Sequence, residues 1–239
     1  MTDLKTCSTG PMIELSEVIF SWNFDTVVLN LDRLRIFPGE RVFIAGPSGS
    51  GKTTLLNLIA GIIIPQKGTV SVSGEILNRF TGTQRDLFRA DHIGFIFQMF
   101  NLVPYLSVVE NVALSCSFSK TRRDRAISRS GSIEAEADRL LKNLGMDGTL
   151  DTGQPVTRLS VGQQQRVAAA RALIGEPDII IADEPTSALD MDRRKTFLEL
   201  LFKECKRKQG TIVFVSHDTS LETMFDRTIE LNAINRIDR

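Results

Sequence analysis

The chain predicts an α/β fold built on a mostly parallel sheet. Short apolar strand patterns alternate with helical ones, a glycine-rich turn lies between a strand and a helix, and a later buried strand ends in two adjacent carboxylates. With 239 residues, 42% hydrophobic and 24% charged, the chain can fill one large core or two small ones.

Residues 1–11 read as a flexible lead-in, and the first ten lack the apolar core of a signal peptide. Ile13 and Leu15 alternate with polar neighbours, and residues 27–37 are rich in branched side chains, so both segments read as strands. Arg41–Ala45 is a short apolar strand entering the glycine-rich turn, with a helix following over 53–62. Residues 69–72 and 75–77 pair across the turn Ser73-Gly74, and 93–97 make another strand. From about Gln98 to Gly175 the pattern is helical: Ser107 and Glu110 make a capping box, and a helix over 133–144 stops at Gly145. Residues 178–182 and 211–215 are buried strands flanking an amphipathic helix from about 191 to 208.

Lys+Arg and Asp+Glu number 29 each, a balance that argues against a nucleic-acid coat or a strongly basic membrane binder. Cys7, Cys116 and Cys205 are widely spaced and form no CxxC pair, so neither zinc nor a disulfide framework is indicated, and a reducing compartment fits. The apolar runs at 58–64 and 179–182 are far shorter than the ~18–20 residues of a spanning helix, so this chain is not expected to cross a membrane alone.

Gly46, Pro47, Ser48, Gly49, Ser50, Gly51, Lys52 and Thr53 fit G-x-x-x-x-G-K-[ST] between strand and helix, with Thr54 following. The glycines let main-chain N–H groups wrap phosphate oxygens, the helix start adds its positive dipole end, Lys52 reaches the terminal phosphates, and the Thr53 hydroxyl can ligate Mg²⁺. The strand ending in Asp183 and Glu184 presents both at the sheet's C-terminal edge, where α/β ligands bind. Asp183 would hold Mg²⁺, and Glu184 would orient or deprotonate the attacking water. Alone, such an acidic pair is more often a simple strand end; the phosphate loop reverses that preference.

Leu159-Ser160-Val161-Gly162-Gln163-Gln164-Gln165-Arg166 resembles the LSGGQ signature of ATP-binding-cassette (ABC) ATPases. Ser160 and Gln163 form a capping box, so a helix starts here, runs to about Leu173 and ends before Gly175 and Pro177. Its tip, with Ser160 and Gly162, is a second anion-binding surface. The other family elements follow in order: Gln98 resembles the Q-loop glutamine, Ser187-Ala-Leu-Asp190 the D-loop, and His217 the switch histidine. Trp22 stands where the family usually places an adenine-stacking aromatic, commonly Tyr; the plainer alternative is a core tryptophan. Val161 replaces the first signature glycine, and neither departure removes a catalytic group.

The resemblance covers about residues 12–227 and implies a P-loop NTPase (RecA-like) parallel-sheet core with an antiparallel β subdomain. One nucleotide-binding domain would span the chain, with an α-helical subdomain inserted at about 99–160. It implies ATP as substrate and Mg²⁺ held by Thr53, Gln98 and Asp183. Lys52, Gln98, Glu184 and His217 would form the catalytic set. Trp22, the phosphate loop, Ser160, Gly162, Gln163 and Asp190 would bind nucleotide, the signature across a head-to-tail pair.

The phrase Gly94-Phe-Ile-Phe-Gln98-Met-Phe-Asn-Leu-Val-Pro104 is similar to the LolD/MacB/FtsE group, implying FtsX/MacB-like integral membrane permease partners. The chain would then sit peripherally on the cytoplasmic face of the inner membrane, with no nucleic acid expected. Within that likeness Met99, Phe100 and Leu102 either line a permease groove or pack inside the helical subdomain. The basic stretch 120–129 reads as a solvated loop, with lipid headgroups as the alternative. A non-transport ABC ATPase of the DNA-repair or translation type is the rival reading. It is disfavoured because the chain has one cassette and no coiled-coil or zinc insertion.

Overall fold

The computed structural model describes residues 10–23, 26–146, 151–187, 189–206 and 209–237. Residues 1–9 of the lead-in, Ala188 of the D-loop motif and residues 207–208 of the expected last helical turn lie outside the described residues.

Strands β1 (Ile13–Ser21) and β2 (Val27–Ile36) lead to β3 (Arg41–Ala45) and helix α1 (Lys52–Ile59), followed by β4 (Lys67–Val72) and β5 (Glu75–Ile76). Helix α2 (Gly82–His92) precedes β6 (Ile93–Ile96), then come α3 (Val108–Phe118), α4 (Lys120–Ser130), α5 (Ile133–Asn143) and α6 (Val161–Leu173). The chain closes with β7 (Ile179–Asp183), α7 (Met191–Lys206), β8 (Thr211–Val215), β9 (Arg227–Glu230) and α8 (Leu231–Ile234).

The strands form two sheets: an antiparallel one ordered β2-β1-β4-β5 and a parallel one ordered β6-β7-β8-β3-β9. In the first, Ile13 faces Ile36 and Leu15 faces Leu34, and all four are buried on one side. Its turn at Ser73-Gly74 has φ of 52° and 84°, the left-handed pair that a two-residue hairpin demands. In the second sheet the inner strands β3, β7 and β8 are covered on both faces, which is why they read as nearly unbroken apolar runs, whereas the edge strand β9 buries only Ile229. Val42, Ile44, Ile179, Ile181, Val213 and Val215 share a core with α1 and the antiparallel sheet. Phe43, Ile180, Ala182, Ile212 and Phe214 point the other way, into a core with α3, α5, α6 and α7.

Several elements differ from the sequence expectation, among them strand β9 and helix α8, which were not anticipated and in which only Ile229 and Leu231 are buried. Helix α2 was not anticipated: only Phe88 in it is buried, so its apolar periodicity is faint, although the Thr81/Gln84 capping box at its start is complete. Helix α1 stops at Ile59 rather than 62, because Gly61 turns left-handed at φ 64° and the Ile62 N–H folds back to the Asn57 carbonyl at 2.9 Å. The stretch 120–129 is helix α4, not a solvated loop. Arg122 within it is 2% exposed and donates to the carbonyls of Ile174 (2.7 Å), Ala172 (2.7 Å), Arg171 (3.2 Å) and Ile93 (3.4 Å). Arg125 and Arg129 bond to Glu176 and Arg123 to the Cys116 carbonyl, so these cations serve packing rather than a lipid surface. Arg122 thereby terminates α6, and Gly94 lets β6 press against the same helix end. A Cβ there would lie 2.2 Å from the Ala172 carbonyl oxygen.

Candidate active site

Four neighbouring strands of the parallel sheet end at one edge. There β3 releases the phosphate loop, β6 leads to Gln98, β7 ends in Asp183 with Glu184 next, and β8 leads to His217. The groups expected from sequence as the catalytic and metal sets therefore meet in one cleft of about 780 Å³, lined also by Trp22, Val28, Ser48, Gly49, Gly51 and Thr54. The order of the parallel strands brings together groups spread from residue 48 to residue 217, and the antiparallel sheet adds Trp22 and Val28.

The loop is shaped for an anion. Gly51 sits at φ 98°, a conformation that side chains resist, and α1 begins directly after it with no side-chain cap. The first N–H groups of α1 thus have no side-chain capping acceptor, and the residues that carry them, Lys52, Thr53 and Thr54, line the cleft. Lys52 is buried, its ammonium donating to the carbonyls of Gly46 (2.7 Å) and Pro47 (2.9 Å), so the charge is held within the loop it would serve. The Ser50 hydroxyl is buried with no hydrogen-bond partner among the described residues.

At the far lip the Thr53 hydroxyl donates to Asp183 Oδ2 at 3.1 Å. Burial pushes the Asp183 carboxyl above its ordinary range; the Thr53 bond opposes this, neighbouring Glu184 adds to it, and Lys52 opposes it. A hydroxyl and a carboxylate side by side are the hard oxygen donors that Mg²⁺ takes alongside phosphate and water, so these residues fit that ion. Glu184 leaves the strand in a left-handed conformation at φ 46°, with its N–H bonded to the Val215 carbonyl at 2.9 Å. Such backbone strain in a non-glycine residue is typical of functional sites. It aims the carboxylate at His217, whose Nδ1 lies 2.5 Å from Glu184 Oε2. The ring of His217 is 65% exposed, open to whatever enters the cleft.

Trp22 is 62% exposed and meets Phe20 edge-on, at a centroid distance of 5.0 Å. It borders the cleft and is not a core residue. Of the three apolar residues after Gln98, Met99 is 81% exposed while Phe100 is buried and Leu102 packs against the helical core. Phe100 and Leu102 thus follow the packing alternative, and Met99 does not.

Ser160, Gly162 and Gln163 do not line the cleft. They form the tip of α6, where the Ser160 hydroxyl accepts from the Gln163 N–H (3.3 Å) and Gln163 Oε1 accepts from the Ser160 N–H (2.9 Å). Asp190, expected among the nucleotide contacts, also lies outside the cleft and caps α7 by accepting from the Arg193 N–H at 3.0 Å.

Sequence reasoning missed Arg171. From α6 it donates to the carbonyls of Phe100 (2.5 Å) and Asn101 (2.6 Å), which sit at φ 58° and 48° in the turn after Gln98. It therefore ties the Gln98 loop to the signature helix. No spacing rule announces a residue whose partners are main-chain carbonyls about 70 positions away.

A family model described as "ABC transporter" matches residues 29–187. The lipoprotein-releasing system ATP-binding protein LolD 1 of Caulobacter vibrioides is 37% identical, over 91% of this chain and 90% of its own. An uncharacterized ABC transporter ATP-binding protein of Mycobacterium tuberculosis is also 37% identical, covering 95% of this chain and 91% of its own. Macrolide export protein MacB of Pasteurella multocida is 35% identical over 92% of this chain, which spans about a third (33%) of MacB. Among solved structures, the dimeric MJ0796 cassette superposes with a TM-score of 0.79 at 35% identity, covering 92% of this chain and 94% of that one. A post-hydrolysis MJ0796 dimer bound to ADP and Pi gives 0.78 at 34% identity over the same shares. The transport ATPases are favoured over the non-transport alternative, and the chain belongs to the ABC transporter family as one of its ATP-binding, ATP-hydrolysing cassettes.

Proposed function

We propose that this cassette drives a separate FtsX/MacB-like membrane permease by pairing head to tail with a second copy around two ATP molecules. The observation that carries this is the division of the anion-binding groups. One chain holds the phosphate loop, Asp183, Glu184 and His217 in a single cleft, while its second anion-binding surface, the tip of α6, lies outside it. The capping box satisfies two of the N–H groups at that helix start and leaves the tip open to an anion, which a twin's nucleotide supplies.

In this reading Trp22 stacks on the base, and Lys52 turns from the Gly46 and Pro47 carbonyls toward the terminal phosphates. Thr53, Gln98 and Asp183 would hold Mg²⁺, which neutralises phosphate charge when bound. Glu184 takes or orients the proton of the attacking water, and His217, bonded to Glu184, faces the terminal phosphate. Among the described residues no helix is long and apolar enough to cross a membrane, which agrees with attachment to the cytoplasmic face through a permease. The cassette would comprise the whole chain, with the helical subdomain of α3 to α5 inserted between β6 and α6.

The test uses Glu184→Gln, which keeps the shape and loses the base. With ATP this variant should remain loaded and elute as a dimer, and it should co-purify with an integral membrane protein. Hydrolysis at the parental rate removes Glu184 from its role. A loaded species that stays monomeric with its membrane partner present overturns the pairing.

A further inference from the structure

Arg194 lies in the first turn of α7 and faces two loops at once. Its Nε donates to the Leu189 carbonyl at 2.7 Å, and its Nη1 pairs with Asp218 Oδ2. Arginine suits this task because its fork places donors at fixed, diverging positions. The other oxygen of Asp218 accepts from the Ser220 N–H (3.1 Å) and hydroxyl (2.7 Å), and the Asp218 N–H donates to the Ser216 hydroxyl at 3.1 Å. Asp218 is thus pinned within its own loop and anchored from outside by Arg194.

The residue before Asp218 is His217. With its ring 65% exposed, packing does not fix it; its place is set by the backbone of this loop and by the bond to Glu184. Leu189 in turn is the neighbour of the signature tip, since a Cβ on Gly162 would meet Leu189 Cδ2 at 3.7 Å.

We propose that Arg194 is a positioning residue for hydrolysis, tying the His217 loop to the Leu189 turn beside the signature tip and so holding His217 against Glu184. This rests on the role given to His217 above. Arg194 touches no nucleotide group in that reading, so its loss should slow the chemical step and spare binding.

The test is a double-mutant cycle on the full chain, reading kcat and KM for ATP in Arg194→Ala, His217→Ala and the double variant. Arg194→Ala should lower kcat about tenfold with KM within about twofold, the pattern of a lost transition-state arrangement. His217→Ala should lower kcat by about 10²-fold or more, and adding Arg194→Ala to it should change nothing further, because one residue acts through the other. Arg194→Lys, with one nitrogen where arginine uses two, should fall between parent and alanine variant. It carries the same cycle if the alanine variant fails to fold. Parental kcat in Arg194→Ala, a matching rise in KM, or losses that multiply with those of His217→Ala overturn the proposal alone. Parental kcat in His217→Ala overturns the underlying role and this proposal with it.

Discussion

Replacing Arg122 by alanine should destabilise the fold by about 3–4 kcal/mol. The guanidinium is 2% exposed, and burial pulls its pKa down to about 10, so its charge is retained at neutral pH against a desolvation penalty. What offsets that penalty is the set of four carbonyls. The two bonds at 2.7 Å, to Ile174 and Ala172, are full charge-assisted hydrogen bonds, that to Arg171 at 3.2 Å is weaker, and that to Ile93 at 3.4 Å is marginal. Two strong bonds at about 1.5–3 kcal/mol each, plus a weaker one, give roughly 5 kcal/mol gross. Relief of the buried charge and entry of water into the vacated space return part of this, leaving about 3–4 kcal/mol. Arg122→Lys should lose about half as much, since a single nitrogen reaches fewer carbonyls. Urea unfolding monitored by far-ultraviolet circular dichroism reads the difference as a change in midpoint at constant slope. A shift under about 1 kcal/mol for Arg122→Ala would refute the assignment of α4 as the clamp on the signature helix.

Three further outcomes are expected. Trp22→Ala should weaken ATP binding by about 1–3 kcal/mol, the worth of one stacked base, and the fluorescence of this sole tryptophan should respond to ATP in the parent; unchanged affinity rejects the stacking role. Lys52→Ala should abolish tight nucleotide binding, and a titration with parental affinity counts against the loop assignment. The Glu136 carboxyl lies below its ordinary range: burial acts to raise it, but the hydrogen bonds from Arg139 and Ser130 and the charges of Arg139 and Arg129 outweigh burial. A depressed folded-state pKa gives stability that is present above the ordinary carboxylate range and lost as pH falls through the folded value. Melting temperature should therefore drop below about pH 4, and Glu136→Gln should flatten that acid limb; superimposable acid limbs would show that Glu136 contributes nothing.

Much of the site was legible because local spacing encodes it. The loop from Gly46 to Thr53 needs glycines, a lysine and a hydroxyl at fixed offsets between a strand and a helix, and all are read along one stretch of chain. The capping boxes at Ser107 and Ser160 were likewise visible, being contacts three residues apart. The inner parallel strands β3, β7 and β8 were legible because burial on both faces leaves them almost uninterruptedly apolar, and β1 because burial on one face makes it alternate, whereas β9, with Ile229 alone buried, escaped. Helix α2 escaped because a helix on the surface, with Phe88 alone buried, writes little hydrophobic periodicity.

Charge in a sequence does not say where the charge goes. The stretch 120–129 has the composition of a solvated loop, yet its arginines end on carbonyls and carboxylates of α3, α5, the end of α6 and the segment after it. Arg171 and Arg194 are the same case: each acts through partners chosen by packing, at separations that no motif records.

The amino-acid order by itself determined the chemistry of this protein: the phosphate loop, the two carboxylates, the histidine and the capped signature helix. Those depend on neighbours along the chain, so spacing reveals them. Only the tertiary structure decided that β6, β7, β8 and β3 lie side by side, which gathers those groups into one cleft and leaves the signature tip outside it. Strand order is set by which apolar faces pack together over the whole molecule, a sum of long-range contacts that no local segment contains.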